Sequence, residues 1–483
     1  MATRRKIFFN LFVYTLLPKI STISFLFILP FVSKNLSLND YAIYGLVSAY
    51  LLIFQFVTIL GQNVVLQNSF FEFKQKFHLI WSRSFGLMTL AGFLSSIILS
   101  LVLYFTLYEK FNGFFFTVII CLSIYLTLSP IDTIAASFFV LTEKPLPFTI
   151  TSLIGGILST LVFFVAVGVF KLGYLGWILM WPIGVLTSYL FYIKRIFISQ
   201  KIYPKFISKR RFKLWALKIG MPLMPHQLSL LILNSSDRIL LQYFNVPSKQ
   251  IGLYSQGYTI GSYGMFGVNG YFQTFARRIQ ENFRNSDKAE SKVFLRKLIF
   301  VSTFSLSILL FFASFFSKEF FLFFFRTKEL QQAHPVAIVV MCSYMYWSTY
   351  TFFTYPLLIS GKTKLISMIS AISAAINILG NILLIPKYGI IATTAMTYIS
   401  YIFFGFSTLL IRHNRIYLSS ILNLRTLCFL LLFVNIALAY TSFALRDLYI
   451  GYKLSISVIF IGIIGLLYSK KSLLFKLNDT PVL

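Results

Sequence analysis

Fourteen apolar stretches of about 20 residues, separated by short polar loops, run through this chain. About 20 such residues make a helix long enough to cross the hydrocarbon layer of a bilayer. The stretches occupy 8–33, 41–71, 82–108, 114–141, 148–170 and 174–193, then 217–244, 252–275, 298–325, 335–360, 365–386 and 388–411, and finally 427–445 and 454–468. Their hydrophobicity is continuous and does not alternate, so each predicts a helix whose backbone polar groups are satisfied internally. With 58% hydrophobic residues, 12% charged and a mean hydropathy of +0.80, the chain lacks the polar surface a soluble domain of 483 residues needs.

Landmarks in the first six stretches recur in the next six. Tyr41-Ala-Ile-Tyr44 returns as Ile251-Gly-Leu-Tyr254, and Gly173-Tyr-Leu-Gly176 returns as Gly389-Ile-Ile-Ala392. Duplicated bundles that rock about a shared central site are a common transporter design. The sequence therefore predicts an all-α integral membrane protein of about 14 transmembrane helices, with two six-helix lobes in parallel repeat plus two C-terminal helices. The boundaries expected are 1–198 for the first lobe, 199–216 for a basic cytoplasmic linker, 217–412 for the second lobe and 413–483 for the extra helices and tail.

The net charge of +30 would fit nucleic acid only on a folded basic face outside the membrane. Here the charge sits in short loops. With the N-terminus inside, 31 of the 43 Lys and Arg residues fall on the inner side and 10 on the outer, while Lys19 and Arg238 lie in mid-span. The positive-inside rule then places both termini in the cytoplasm, and the linker becomes a contact for anionic lipids. Arg4-Arg-Lys6 precedes an apolar run too long for a secretory signal and without a small-residue cleavage site, so that run is expected to remain as the first helix.

No enzyme constellation emerges. Ser360-Gly-Lys-Thr363 has Pro356 where a phosphate-binding loop needs its first glycine. The four histidines are scattered and accompanied by no acidic cluster, and the three cysteines lie inside apolar spans as packing residues. No cofactor or metal is expected.

Charges inside the membrane are expensive and mark functional sites by default. Lys19 follows Pro18 near the middle of the first span; it either faces a watery cavity or pairs with a carboxylate. Asp132 follows Pro130 in the fourth span, as the partner of Lys19 or as a coupling-cation site. Asp237 and Arg238 are neighbours in the seventh span, where adjacent helical side chains point about 100° apart and do not pair. Arg277 and Arg278 end the eighth span on the inner side, where an anionic headgroup would enter. That span also carries a stripe of Gly257, Gly261, Gly264, Gly267 and Gly270, read as close helix packing or as a flexible helix at the cavity. In the tenth span Ser343, Trp347, Tyr350 and Thr354 share one face, suited to a sugar or to ordinary helix contact.

Three segments carry a family resemblance: Leu36-Ser-Leu-Asn-Asp40-Tyr-Ala-Ile-Tyr44, Ser236-Asp237-Arg238 followed by Ile251-Gly-Leu-Tyr-Ser255, and Ile385-Pro-Lys-Tyr-Gly389. In their order and spacing, over nearly the whole chain, they resemble the polysaccharide and O-antigen flippases of the multidrug/oligosaccharidyl-lipid/polysaccharide exporter superfamily, which share the MATE fold. The resemblance implies a bacterial inner-membrane exporter of undecaprenyl-diphosphate-linked oligosaccharides, coupled to H+ or Na+ or to no ion, and working beside polysaccharide polymerase machinery. It carries over no fixed catalytic motif. Three alternatives stay open: a cation-coupled multidrug exporter of the same fold, an exporter of a peptidoglycan or teichoic-type lipid precursor, and a non-transporting scaffold for glycan polymerisation.

Overall fold

The computed structural model describes residues 20–73, 76–142, 144–207, 209–284 and 289–469, and these contain helices and connecting turns but no strand. In chain order the first half holds α1 (Ile20–Val32), α2 (Leu38–Ile59), α3 (Gln62–Glu72), α4 (Phe77–Leu107), α5 (Phe115–Leu128), α6 (Pro130–Leu141), α7 (Pro145–Phe163) and α8 (Leu175–Tyr192). An amphipathic helix, α9 (Arg210–Gly220), opens the second half. It is followed by α10 (Met224–Tyr243), α11 (Ser248–Ser262), α12 (Gly264–Arg284), α13 (Ala289–Phe315), α14 (Ser317–Phe324), α15 (Lys328–Gln331), α16 (His334–Ser343), α17 (Met345–Ile359), α18 (Thr363–Tyr388) and α19 (Ile390–Phe406). A short α20 (Arg412–Ser419) leads to the C-terminal pair α21 (Leu424–Ala444) and α22 (Ile450–Ser469).

Ten helical segments among the described residues are long and apolar enough to cross a membrane, and α9 with α10, bent by 59°, is an eleventh where the pair is counted as one span. The remaining expected positions are held by α1, by the glycine-rich pair α11–α12, and by α22. Several spans are broken where the sequence reading had one continuous helix. The second breaks at Leu60 and Gly61, both with left-handed backbone (φ 51° and 65°). A side chain on Gly61 would run into the Gly220 carbonyl at 2.5 Å, and one on Gly220 would run into the Gly61 carbonyl at 2.8 Å. That close approach seats α9 against α3 and anchors the linker to the first lobe.

The repeat appears as two matching corners. In the first, Ser37 and Asp40 form a capping box at the start of α2. Asp40 also accepts from the Tyr174 N–H at 2.9 Å, beside Gly173 with φ 54°. In the second, Gln250 stands beside Gly389, also with φ 54°. The helices that follow these corners, α2 and α11, make one of the two most extensive interfaces among the described helices. Gly252 has no room for a side chain, because a Cβ there would overlap the Leu38 carbonyl, and Gly45 abuts Ser255 in the same way. The repeated segments thus meet each other where the two lobes join.

Gly257 and Gly261 of the eighth span act by close packing. A Cβ on Gly257 would lie 2.5 Å from the Ala333 carbonyl, and one on Gly261 would lie 2.7 Å from Val340 Cβ. Cys121 and Cys342 are buried and unpaired.

Candidate functional site

Two polar regions interrupt the apolar interior. The first is a cavity of about 460 Å³ lined by α1, α2, α5, α6, α7, α8 and, from the second lobe, α11 and α12. Its aromatic wall is built around Tyr44. That ring stacks on Trp177 (4.7 Å between centroids, 19°) and, one helical turn along α8, on Trp181 (6.0 Å, 26°). Tyr125 stands 6.3 Å from Trp181 and is fixed by a hydrogen bond from Gln55 Nε2 to its hydroxyl at 2.9 Å. α7 adds Gly155, Gly156 and hydroxyl side chains to the lining, and Asp132 and Ser188 line it as well. Asp132 sits in the first turn of α6, where Pro130 breaks the fourth span and starts a new helix.

The second region is a closed polar cluster in the second lobe. Asp237 is 1% exposed. Its carboxylate accepts from the Tyr254 hydroxyl, from Asn381 Nδ2 at 2.8 Å and from Thr397 Oγ1 at 3.0 Å. One turn earlier on α10, Asn234 Oδ1 accepts from three tyrosine hydroxyls, Tyr258 at 3.1 Å, Tyr344 at 3.3 Å and Tyr401 at 3.0 Å. Arg238 is buried beside them. It donates to the Asn234 carbonyl at 3.2 Å, and its guanidinium lies 4.5 Å from the Tyr258 ring centroid. Its Nε has no partner, and it forms no ion pair among the described residues. Its stem reaches Gly45 on the opposite lobe.

The structure separates several residues that the sequence grouped. Lys19 and the side chain of Arg277 fall outside the described residues; Arg278 is exposed on α12. Asp132 and Asp237 occupy different lobes and different sites. Ser343, Trp347, Tyr350 and Thr354 sit inside the second lobe, away from the cavity lining. There Ser343 and Thr354 donate to the carbonyls one turn back, and Trp347 and Tyr350 both stack on Phe404. The sequence reading overlooked the partners of Asp237 and Arg238. These are Tyr254 and Tyr258, four apart on α11, with Asn381 on α18 and Thr397 on α19, and each belongs to a row of polar residues at steps of four along an apolar helix (Asn377 and Asn381; Thr393, Thr397 and Tyr401), which is the signal the sequence carries. Among the described residues no group of His, Cys, Asp and Glu could hold a metal ion.

No family model matches the chain, and no curated protein does. Solved structures do match its fold. The lipid II flippase MurJ in an inward closed conformation aligns over 92% of this chain and 99% of its own, at 15% identity and a TM-score of 0.58. The Vibrio cholerae MATE transporter VcmN D35N mutant aligns over 87% of this chain and 98% of its own, at 15% identity and 0.57. An inward-facing multidrug resistance MATE family transporter of the MOP superfamily aligns over 85% and 98%, at 12% and 0.58. The chain is a multi-pass membrane protein with the two-lobed MATE-like fold of MOP-superfamily transporters. At these identities the fold is what the likeness establishes.

Proposed function

We propose that this chain is a flippase of the bacterial inner membrane that moves undecaprenyl-diphosphate-linked O-antigen or capsule repeat units from the inner to the outer leaflet by alternating access of its two lobes. The observation that carries the reading is Arg238: a buried guanidinium at the lobe junction with no carboxylate within 4 Å among the described residues. Asp237 acts on it only from beyond contact distance; a buried cation without a contact anion is costly, and a diphosphate passing between the lobes would be its counter-ion. Lys19 and the Arg277–Arg278 pair would extend that positive path toward the cytoplasmic side. Moving two negative charges out of an interior-negative cell gains roughly 4.6 kcal/mol per 100 mV, so the membrane potential assists export.

Asp237 is the favoured site for a coupling cation, H+ or Na+. Its carboxylate lies among Asn377, Asn381 and Thr397, and Asn381 Oδ1 is buried with no partner. Asp132 is the second candidate. Both termini and the 199–216 linker are placed in the cytoplasm. Impermeant thiol labelling of a cysteine at Lys209 from the inside only, and at Asn112 from the outside only, checks that orientation.

One observation favours the multidrug-exporter reading: the described cavity lining contains a carboxylate and aromatic rings but no Lys or Arg. Deleting the gene in its host separates the two. Loss of surface polymer, with the prenyl-linked precursor trapped on the cytoplasmic leaflet, supports the flippase. Normal polymer with heightened sensitivity to organic cations overturns it.

A further inference from the structure

We infer that the first-lobe cavity holds a saccharide-binding subsite, in which one sugar ring stacks on Trp181 and gives its hydroxyl protons to Asp132 and to the hydroxyl oxygens of α7. The inference rests on the flippase reading and names the part of the substrate this lobe grips.

Three features of the cavity converge on a sugar. The first is a preassembled aromatic stack that ends on Trp181 in the cavity lining. Tyr44 bridges Trp177 and Trp181, and Tyr125, pinned by Gln55, tilts 38° against Trp181. The face is therefore held by contacts from three helices before any ligand arrives. The axial C–H faces of a pyranose pack on such a surface, and none of its area is lost to reorganisation on binding.

The second feature is the polarity of the hydroxyl wall. Ser159 donates its proton to the Met180 carbonyl at 3.1 Å, Thr160 to Gly156 at 2.7 Å, Thr151 to Pro147 at 2.8 Å and Thr259 to Ser255 at 2.8 Å. With their protons committed to backbone carbonyls, these oxygens can only accept. Asp132 accepts as well, and it forms no ion pair among the described residues. The wall thus recognises a ligand rich in O–H donors. An organic cation whose charge is buried in alkyl groups leaves those acceptors unused.

The third feature is shape. Gly155 and Gly184 let α7 and α8 pack closely beside the cavity, since a side chain on Gly155 would touch the Gly184 carbonyl at 3.5 Å and one on Gly184 would press Ser159 Oγ at 3.3 Å. At about 460 Å³ the space falls within the usual range for small-molecule sites, about 300–1,000 Å³.

The test uses the purified full chain in lipid nanodiscs, with calorimetric titration of the oligosaccharide released by mild acid from the host's own surface polymer. That probe carries no lipid or diphosphate, so Arg238 is not called upon. Trp181→Ala is expected to weaken binding at least tenfold. Trp181→Phe, which keeps a ring, should stay within about threefold of wild type, and Asp132→Asn should fall between. Gly155→Leu presses on Gly184 and Thr187 of α8 and crowds the cavity, so it should abolish binding, and the isosteric Asp132→Asn covers the case in which Trp181→Ala or Gly155→Leu fails to fold. Wild-type affinity in both Trp181→Ala and Gly155→Leu overturns the subsite. So does an absence of saccharide binding to wild type while the deletion strain still traps precursor on the inner leaflet, an outcome that leaves the flippase reading standing. Binding of tetraphenylphosphonium in place of the saccharide, with normal polymer in the deletion strain, overturns both.

Discussion

Lys453 is the most demanding charge in the described structure, and the cost of disturbing it can be worked out. Its side chain is fully buried, yet all three ammonium protons have acceptors: Glu319 at 2.9 Å, the Phe315 carbonyl at 3.0 Å and the Arg446 carbonyl at 2.9 Å. The Phe315 carbonyl is one of the unsatisfied groups at the C-terminus of α13, so the lysine also caps that helix and pins α22 to it. Removing one partner of a buried ion pair costs about 3–5 kcal/mol, because the other charge is stranded. Glu319 retains 18% exposure, so water softens the loss, and Glu319→Gln should cost about 3 kcal/mol. Lys453→Met strands only the partly wetted carboxylate but uncaps two carbonyls, for about 2–4 kcal/mol. The double variant strands no charge and should cost no more than Lys453→Met alone, which gives a coupling of about 3 kcal/mol. Reversible unfolding in mixed micelles, titrated with dodecyl sulfate and followed by circular dichroism, measures all four corners of the cycle. Additivity within about 0.5 kcal/mol would refute the argument, as would a Glu319→Gln protein as stable as wild type.

Other expectations follow from single contacts. Gly252→Val places a side chain into the Leu38 carbonyl across the lobe junction; export should fail, and spin labels on α2 and α11 should move apart. Asn234→Leu removes the acceptor shared by Tyr258, Tyr344 and Tyr401 and should lower micellar unfolding stability by about 2–4 kcal/mol, the cost of orphaning buried hydroxyls. Arg238→Gln should abolish lipid-linked glycan export while leaving binding of the free saccharide unchanged, as read by the leaflet assay and by calorimetry. In the turn before α22, a hydrogen bond from Lys318 holds the Asp447 carboxyl below its usual range. A depressed carboxylate stabilises above its unfolded pKa and loses that contribution as pH falls through the folded one. Asp447→Asn should therefore be slightly less stable than wild type at neutral pH, by under about 1 kcal/mol for so exposed a pair. The difference should vanish in strong acid, as thermal melts across that range would record.

Hydropathy located the spans because lipid imposes one demand on every residue of a crossing helix, and ten of the expected positions are long apolar helices here. The breaks within them depend on contacts distant in sequence. Leu60 and Gly61 leave the helix where the backbone of Gly220 arrives, and nothing within the second span announces that encounter. The site was legible in its charges and opaque in its partners. Asp237 and Arg238 stood out as mid-membrane charges, but Tyr254, Asn381 and Thr397 are ordinary polar residues until three helices bring them to one carboxylate. Ser343, Trp347, Tyr350 and Thr354 share one face in sequence, but Ser343 ends α16 while the other three lie on α17, and Trp347 and Tyr350 stack on Phe404 of α19 inside the second lobe. The aromatic wall of the cavity left no stripe to find, because Tyr44, Tyr125 and Trp181 come from three different spans.

The repeat duplicated a scaffold and left the two interiors to diverge. Both halves keep the same corner, Asp40 beside Gly173 and Gln250 beside Gly389, each glycine at φ 54°, and these corners start the two helices that pack face to face across the junction. What fills the lobes differs. The second is closed around Asn234, Asp237 and Arg238, where hydroxyls and amides meet the Asn234 and Asp237 oxygens and leave Arg238 Nε and Asn381 Oδ1 without partners. The first keeps an open cavity beside the same junction. Tyr44 in the cavity wall and Gly45 against the Arg238 stem are adjacent residues on α2, so a tilt of α2 against α11 changes both at once. A ligand seated on Tyr44 and an anion paired with Arg238 would therefore bias the same movement. Under the proposed function, that shared helix would give the glycan and the diphosphate of one substrate a common lever on the lobes. It also sets a requirement: Gly45→Ala, which brings a methyl group against Ser255 and the Arg238 stem, should impair export even with the saccharide site intact. Saccharide titration and leaflet assay on that one variant decide the matter, and normal export would break the proposed link.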